Sequence, residues 1–106
     1  MIEIEKLRFY YQNDKVFVTE HAAERFRQRG IKAKDVREVV FSGEIIEQYP
    51  DDFPFPSCLI AGYDENGKIL HACMSDEGSS SRLITAYYPD AVQWNDDFKT
   101  RKENKK

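Results

Sequence analysis

Long apolar runs are missing from this chain. No stretch approaches the roughly 18 residues that a membrane-spanning helix needs, and the first residues carry no basic segment followed by an apolar one. The expectation is a cytoplasmic protein with no membrane contact. Cysteine is scarce as well: Cys58 and Cys73 are the only two, too few and wrongly spaced for a zinc ribbon or a disulfide framework. They read as small apolar residues in neighbouring strands, where a disulfide is conceivable only if the strands set them opposite each other. Histidine is limited to His21 and His71. With scattered carboxylates they offer no recognisable metal-ligand spacing, so no metal or other cofactor is expected. The five glycines fall at turns and within one strand and build no phosphate-cradling loop. There is no internal repeat and no linker, and 106 residues suit one domain with a modest core.

Net charge is also small, at -3, but it is unevenly spread. Between Glu24 and Glu38 six bases (Arg25, Arg27, Arg29, Lys32, Lys34, Arg37) face three acids (Glu24, Asp35, Glu38). Between Glu44 and Glu65 there are six acids and no base, and the last eight residues hold five bases and one acid. Steering depends on the local field rather than the sum, so a basic surface can attract a polyanion despite an acidic total. For the C-terminal bases the plainer reading is a solvated tail. The expected organisation is a single domain over residues 1–98 followed by a basic, disordered tail over 99–106.

The densest signal is Thr19-Glu20-His21-Ala22-Ala23-Glu24-Arg25-Phe26-Arg27-Gln28-Arg29-Gly30. Thr19 suits an N-cap and Gly30 suits the left-handed residue that ends a helix. At 100° per residue His21, Arg25 and Arg29 fall within about 80° of arc. Ala22, Ala23 and Phe26 occupy the adjoining arc. Such a stripe fits a helix that faces phosphate or another anion, and fits equally a helix whose polar edge reaches water.

Elsewhere Glu3–Asn13 reads as an amphipathic helix with Ile4, Leu7, Tyr10 and Tyr11 inward. Lys15–Val18 is a short extended piece, and a further helix spans about Ala33–Ser42 with Gly43 ending it. Strands follow at Glu44–Tyr49, Cys58–Tyr63, Lys68–Ser75 and Arg82–Tyr88, with Asn66-Gly67 a strong hairpin signal. Helices first and a run of strands after argue α+β, with a four-stranded antiparallel meander. Period two puts Ile69, His71 and Cys73 on one face of their strand and Leu70, Ala72 and Met74 on the other. In the last strand it groups Leu83, Thr85 and Tyr87 against Ile84, Ala86 and Tyr88. Strands apolar on both faces are central, with helices over one side and a cover or cleft over the other. His71 then has two readings: a half-buried imidazole satisfied by one hydrogen bond, the commoner fate, or a second imidazole brought against His21. Cys73 as a thiol paired with His71 is disfavoured, because residues two apart on a strand lie about 7 Å apart.

The order Thr19-x-His21-Ala22-x-x-Arg25-x-x-x-Arg29-Gly30-Ile31, Val36, Gly43-Glu44-Ile45-Ile46-Glu47, Tyr49-Pro50, Gly67-Lys68-x-Leu70-His71, Ile84-Thr85-Ala86-Tyr87 and Pro89-Asp90-x-x-x-Trp94 resembles a bacterial family of uncharacterised proteins, domain of unknown function 4258. Through it the chain resembles the barnase–colicin–RelE-like toxin and ribonuclease folds. One local departure is Lys32-Ala33-Lys34-Asp35, with no Ser or Thr cap before the Ala33 helix.

The resemblance implies a RelE-like fold and a toxin-like, metal-independent endoribonuclease with a catalytic set of His21, Arg25, His71 and Thr85. Arg29 and Tyr87 would contact RNA. One imidazole would take the ribose 2′-OH proton, the other would protonate the leaving oxygen, and Arg25 would stabilise the phosphoryl charge. It also implies a small zinc-finger antitoxin as partner. The alternative is a non-enzymatic protein-binding module. In it the His/Arg set is a structural network, the meander's exposed edge recruits a partner, and the acidic run Glu44–Glu65 docks a basic one.

Overall fold

The computed structural model describes residues 1–102. Three helices, α1 (Ile4–Gln12), α2 (Glu20–Gln28) and α3 (Ala33–Ser42), accompany strands β1 (Val16–Val18), β2 (Glu44–Tyr49), β3 (Ser57–Tyr63), β4 (Ile69–Ser75) and β5 (Ser81–Tyr87). Among the described residues the strands form one sheet in the order β1-β5-β4-β3-β2. β2 to β5 are antiparallel neighbours, as the meander reading expects. The four-stranded expectation is corrected by β1, which runs parallel to β5 with Val16 opposite Ser81 and Val18 opposite Leu83. Three residues are too few to show a period, so only the pairing reveals Lys15–Val18 as part of the sheet.

The helices begin and end for local reasons. The Thr19 side chain accepts a hydrogen bond from the Ala22 N–H at 3.1 Å, and Gly30 closes α2 at φ +72. The missing Ser/Thr cap before α3 is made good from inside the helix, where Asp35 accepts from the Lys32 N–H at 3.1 Å. From α1, Arg8 donates to the Val40 carbonyl at 2.9 Å and the Gly43 carbonyl at 3.2 Å, placing a cation at the C-terminus of α3. Tyr10 donates to Asp76 at 2.7 Å and Lys6 pairs with the same carboxylate, which anchors α1 to the β4–β5 turn.

One face of the sheet carries the core. Leu7 and Tyr10 of α1, Ala22 and Phe26 of α2, and Val36, Val39 and Val40 of α3 pack on Cys58, Ile60, Leu70, Ala72, Met74, Leu83 and Ala86. In β5 the simple alternation fails. Met74 pairs with Leu83 while Cys73 pairs with Thr85, so the register shifts at Ile84. This irregularity lets Leu83 and Ala86 both face the core and leaves Ile84 outside, correcting the grouping of Leu83 with Thr85 and Tyr87.

α3 sits very close to β3. A Cβ on Gly62 would fall 2.4 Å from the Val39 carbonyl oxygen and 2.8 Å from the Val39 Cα, both backbone atoms that cannot step aside. Gly62→Ala is therefore expected to destabilise the fold by about 1–3 kcal/mol or more in urea denaturation. Gly67→Asn, at a hairpin position where nothing lies within 4 Å of an added Cβ, should change stability far less, because Asn tolerates the left-handed conformation.

Candidate functional site

The six residues singled out in the sequence fall into two groups that adjoin at Thr85. The first lies along α2. His21, Arg25 and Arg29 are all exposed and stand one turn apart. Arg27, on another face, pairs with Glu24. Arg29 bridges helix and sheet: it donates to the Ala86 carbonyl at 2.7 Å, and its guanidinium lies 3.4 Å from the Thr85 hydroxyl. β1 covers β5 only as far as Leu83, so the Ala86 carbonyl stands at an open sheet edge and the arginine satisfies it. His21, Arg25, Arg29 and Thr85 thus follow one another along the α2–β5 edge.

The second group is on the far face of the sheet, the face to which the register also assigns Thr85, opposite Cys73. His71 points away from the helices and is 0% exposed. Its Nε2 lies 2.6 Å from the Phe98 carbonyl oxygen, which can only accept, so Nε2 carries the proton. Nδ1 is then the acceptor for the Tyr87 hydroxyl at 3.3 Å. The indole of Trp94, 2% exposed, meets the imidazole edge-on at a centroid distance of 4.5 Å. The structure brings His71 and Tyr87 together and leaves His21 and Arg25 in the opposite layer, with the sheet between. His71 is buried with both ring nitrogens partnered inside the fold, whereas His21 is exposed on α2.

The cover over His71 is the chain's own C-terminal segment. Arg101 pairs with Glu47 at 2.8 Å and stacks on Trp94 at 4.6 Å, and Lys99 pairs with Glu44 at 2.6 Å. Trp94 and Arg101 form a β-bridge. The first bases of the 99–106 segment are thus joined to the acidic run, and Glu65 of that run pairs with Lys34. Residues 103–106 lie outside the described residues. Burial works against ionisation of Glu47, but hydrogen bonds from Arg101 and Tyr49 outweigh it and hold the carboxyl below the usual carboxylate range. Burial likewise pushes the Cys73 thiol up, and that of Cys58 up to about 12. Both cysteines are free, and they face opposite sides of the sheet. That excludes a disulfide between them within this fold, and neither thiol is set up as a nucleophile.

A feature that the sequence reading did not find is a cleft of about 710 Å³ on the helix side, where the ends of α1, β1, α2 and α3 meet. Phe26, Ile31, Val36 and Leu83 line it, with Lys32 and Arg37 also contributing. Each residue reads locally as core or as solvated charge, and only tertiary packing shows a gap. Among the described residues no three His, Cys, Asp or Glu side chains converge as metal ligands.

A family model described as a domain of unknown function, DUF4258, matches residues 18–88. The match contains both groups of residues and stops before the C-terminal cover. No curated protein and no solved structure matches the chain.

Burial lowers the His71 pKa, and the nearby Arg101 adds to this; the Phe98 carbonyl and Glu47 pull the other way without reversing it. Once unfolded, the same imidazole titrates near 6.5. Below that pH the unfolded chain binds a proton that the folded one resists, so stability falls as pH drops from 6.5 toward the folded value. We expect urea midpoints to decline over that interval and the decline to shrink in a folded His71→Gln variant.

Proposed function

The chain belongs to the family described as a domain of unknown function, DUF4258, and we propose that it is an RNA-binding module that contacts phosphate through α2. The carrying observation is the solvent-facing line His21–Arg25–Arg29, which ends beside the Thr85 hydroxyl. Arginine forks match phosphate oxygens with paired hydrogen bonds. Lys32 and Lys34 follow directly in the chain and strengthen the local positive field against the acidic total.

This reading keeps the RNA partner and assigns the residues differently. His21 is the imidazole available to a ligand, and Arg25 is the principal phosphate contact. Arg29 positions the helix on the β5 edge while facing the same ligand. His71 and Tyr87 support the sheet from its far face. The antiparallel run β2–β5 with helices on one face supports a RelE-like reading, from which the parallel strand β1 departs. Cleavage by a His21/His71 pair draws no support from the buried, doubly bonded His71. The endoribonuclease reading therefore ranks below binding.

The test is fluorescence anisotropy of an end-labelled single-stranded RNA in EDTA, with Arg25→Ala as the variant. Arg25→Ala should weaken binding about five- to tenfold and lower the dependence of log affinity on log salt by about one phosphate contact. Equal affinity of variant and wild type would refute the assignment. Cyclic-phosphate products in the same samples would establish the nuclease reading in its place.

A further inference from the structure

We propose that the cleft between β1, α2 and α3 is a binding site for a small amphiphilic carboxylate, one apolar chain or ring system with a single anionic head. Its volume of about 710 Å³ lies within the roughly 300–1,000 Å³ typical of small-ligand sites. The apolar body would lie along Phe26, Ile31, Val36 and Leu83.

Charge complementarity names the head group. Arg37 lines the cleft, and its guanidinium rests against aromatic rings, 4.8 Å from the centre of Phe41 and 5.8 Å from that of Tyr11. Those contacts, with a hydrogen bond donated to the Tyr11 carbonyl at 3.5 Å, orient the fork without neutralising it. Lys32 stands exposed at the same mouth. Tyr11 also lines the cleft. Asp14 is the one carboxylate in the lining.

A polypeptide segment fits less well. β1 offers only three residues to an added strand, too few for recognition through main-chain hydrogen bonds. Neither His21, Arg25 nor Arg29 lines the cleft, so Arg37→Gln and Ala33→Trp test this site apart from the proposed RNA contact, to whose field Lys32 also contributes.

The probe is octanoate, titrated into the full chain while the methyl resonances of Ile31, Val36 and Leu83 are followed by NMR, with octanol as the neutral control. We expect saturable shifts confined to the cleft. Affinity should fall about tenfold for octanol and for Arg37→Gln, and binding should be lost in Ala33→Trp, which fills the mouth from an exposed position. Lys32→Gln is the second head-group variant, and thermal melts of each variant confirm folding. Absence of saturation, octanol binding as tightly as octanoate, or unaltered binding in Ala33→Trp would each overturn the proposal. Shifts at these methyls produced by an acidic amphipathic peptide and not by octanoate would assign the cleft to a protein partner and overturn it equally.

Discussion

β3 and β4 are apolar on both faces, and that requires the sheet to be covered twice. Toward the helices, Cys58, Ile60, Leu70, Ala72 and Met74 meet α1, α2 and α3. On the far face Leu59, Ala61 and His71 are also buried, although among the described residues no helix lies there. The C-terminal segment supplies the second layer, and the His71 imidazole joins it to the sheet through Phe98, Tyr87 and Trp94. A buried imidazole costs little when both nitrogens have partners, and here both do. The ion pairs at Glu44 and Glu47 hold the edge of this cover. Being largely exposed, they contribute less than the buried ring contacts.

This double covering decides where chemistry can occur. A side chain closed in beneath Trp94 is not placed to exchange protons with a bound ligand, whatever its residue type suggests. The α2–β5 edge is open by contrast, because β1 ends at Val18 and leaves the rest of β5 unpaired on that side. Arg29 fills part of the gap, and His21 and Arg25 continue outward from it. The shortness of one strand thus produces both an unpaired carbonyl and a place for arginines to gather.

Much of this was legible in the residues. Thr19 starts α2 with its side-chain cap, Gly30 ends it in the left-handed region, α3 stops at Gly43, and the β3–β4 turn forms at Asn66-Gly67, with Gly67 at φ +80. The 3.6-residue period located the inward faces of α1 and α2. Three features were not legible, because each depends on contacts distant in sequence. β1 is a strand only beside β5. The shift at Ile84 breaks period two to suit the core. The cover reads locally as charge and turn residues, and its role rests on Trp94 meeting His71 and on Arg101 meeting Glu47, 54 residues away. The candidate site was half legible for the same reason. The i, i+4, i+8 line on α2 is local geometry, whereas the face that His71 occupies and what closes over it are tertiary facts. The cleft left no trace in the sequence.

The division between an accessible His21 and a structural His71 is the central claim, and imidazole NMR tests it most directly. A long-range proton–nitrogen spectrum of the full chain resolves both rings, before and after addition of single-stranded RNA. The account requires the His21 ring signals to move on RNA addition while His71 remains neutral with its proton on Nε2. Movement of His71 with RNA, or a His71 ring that carries its proton on Nδ1, would contradict it.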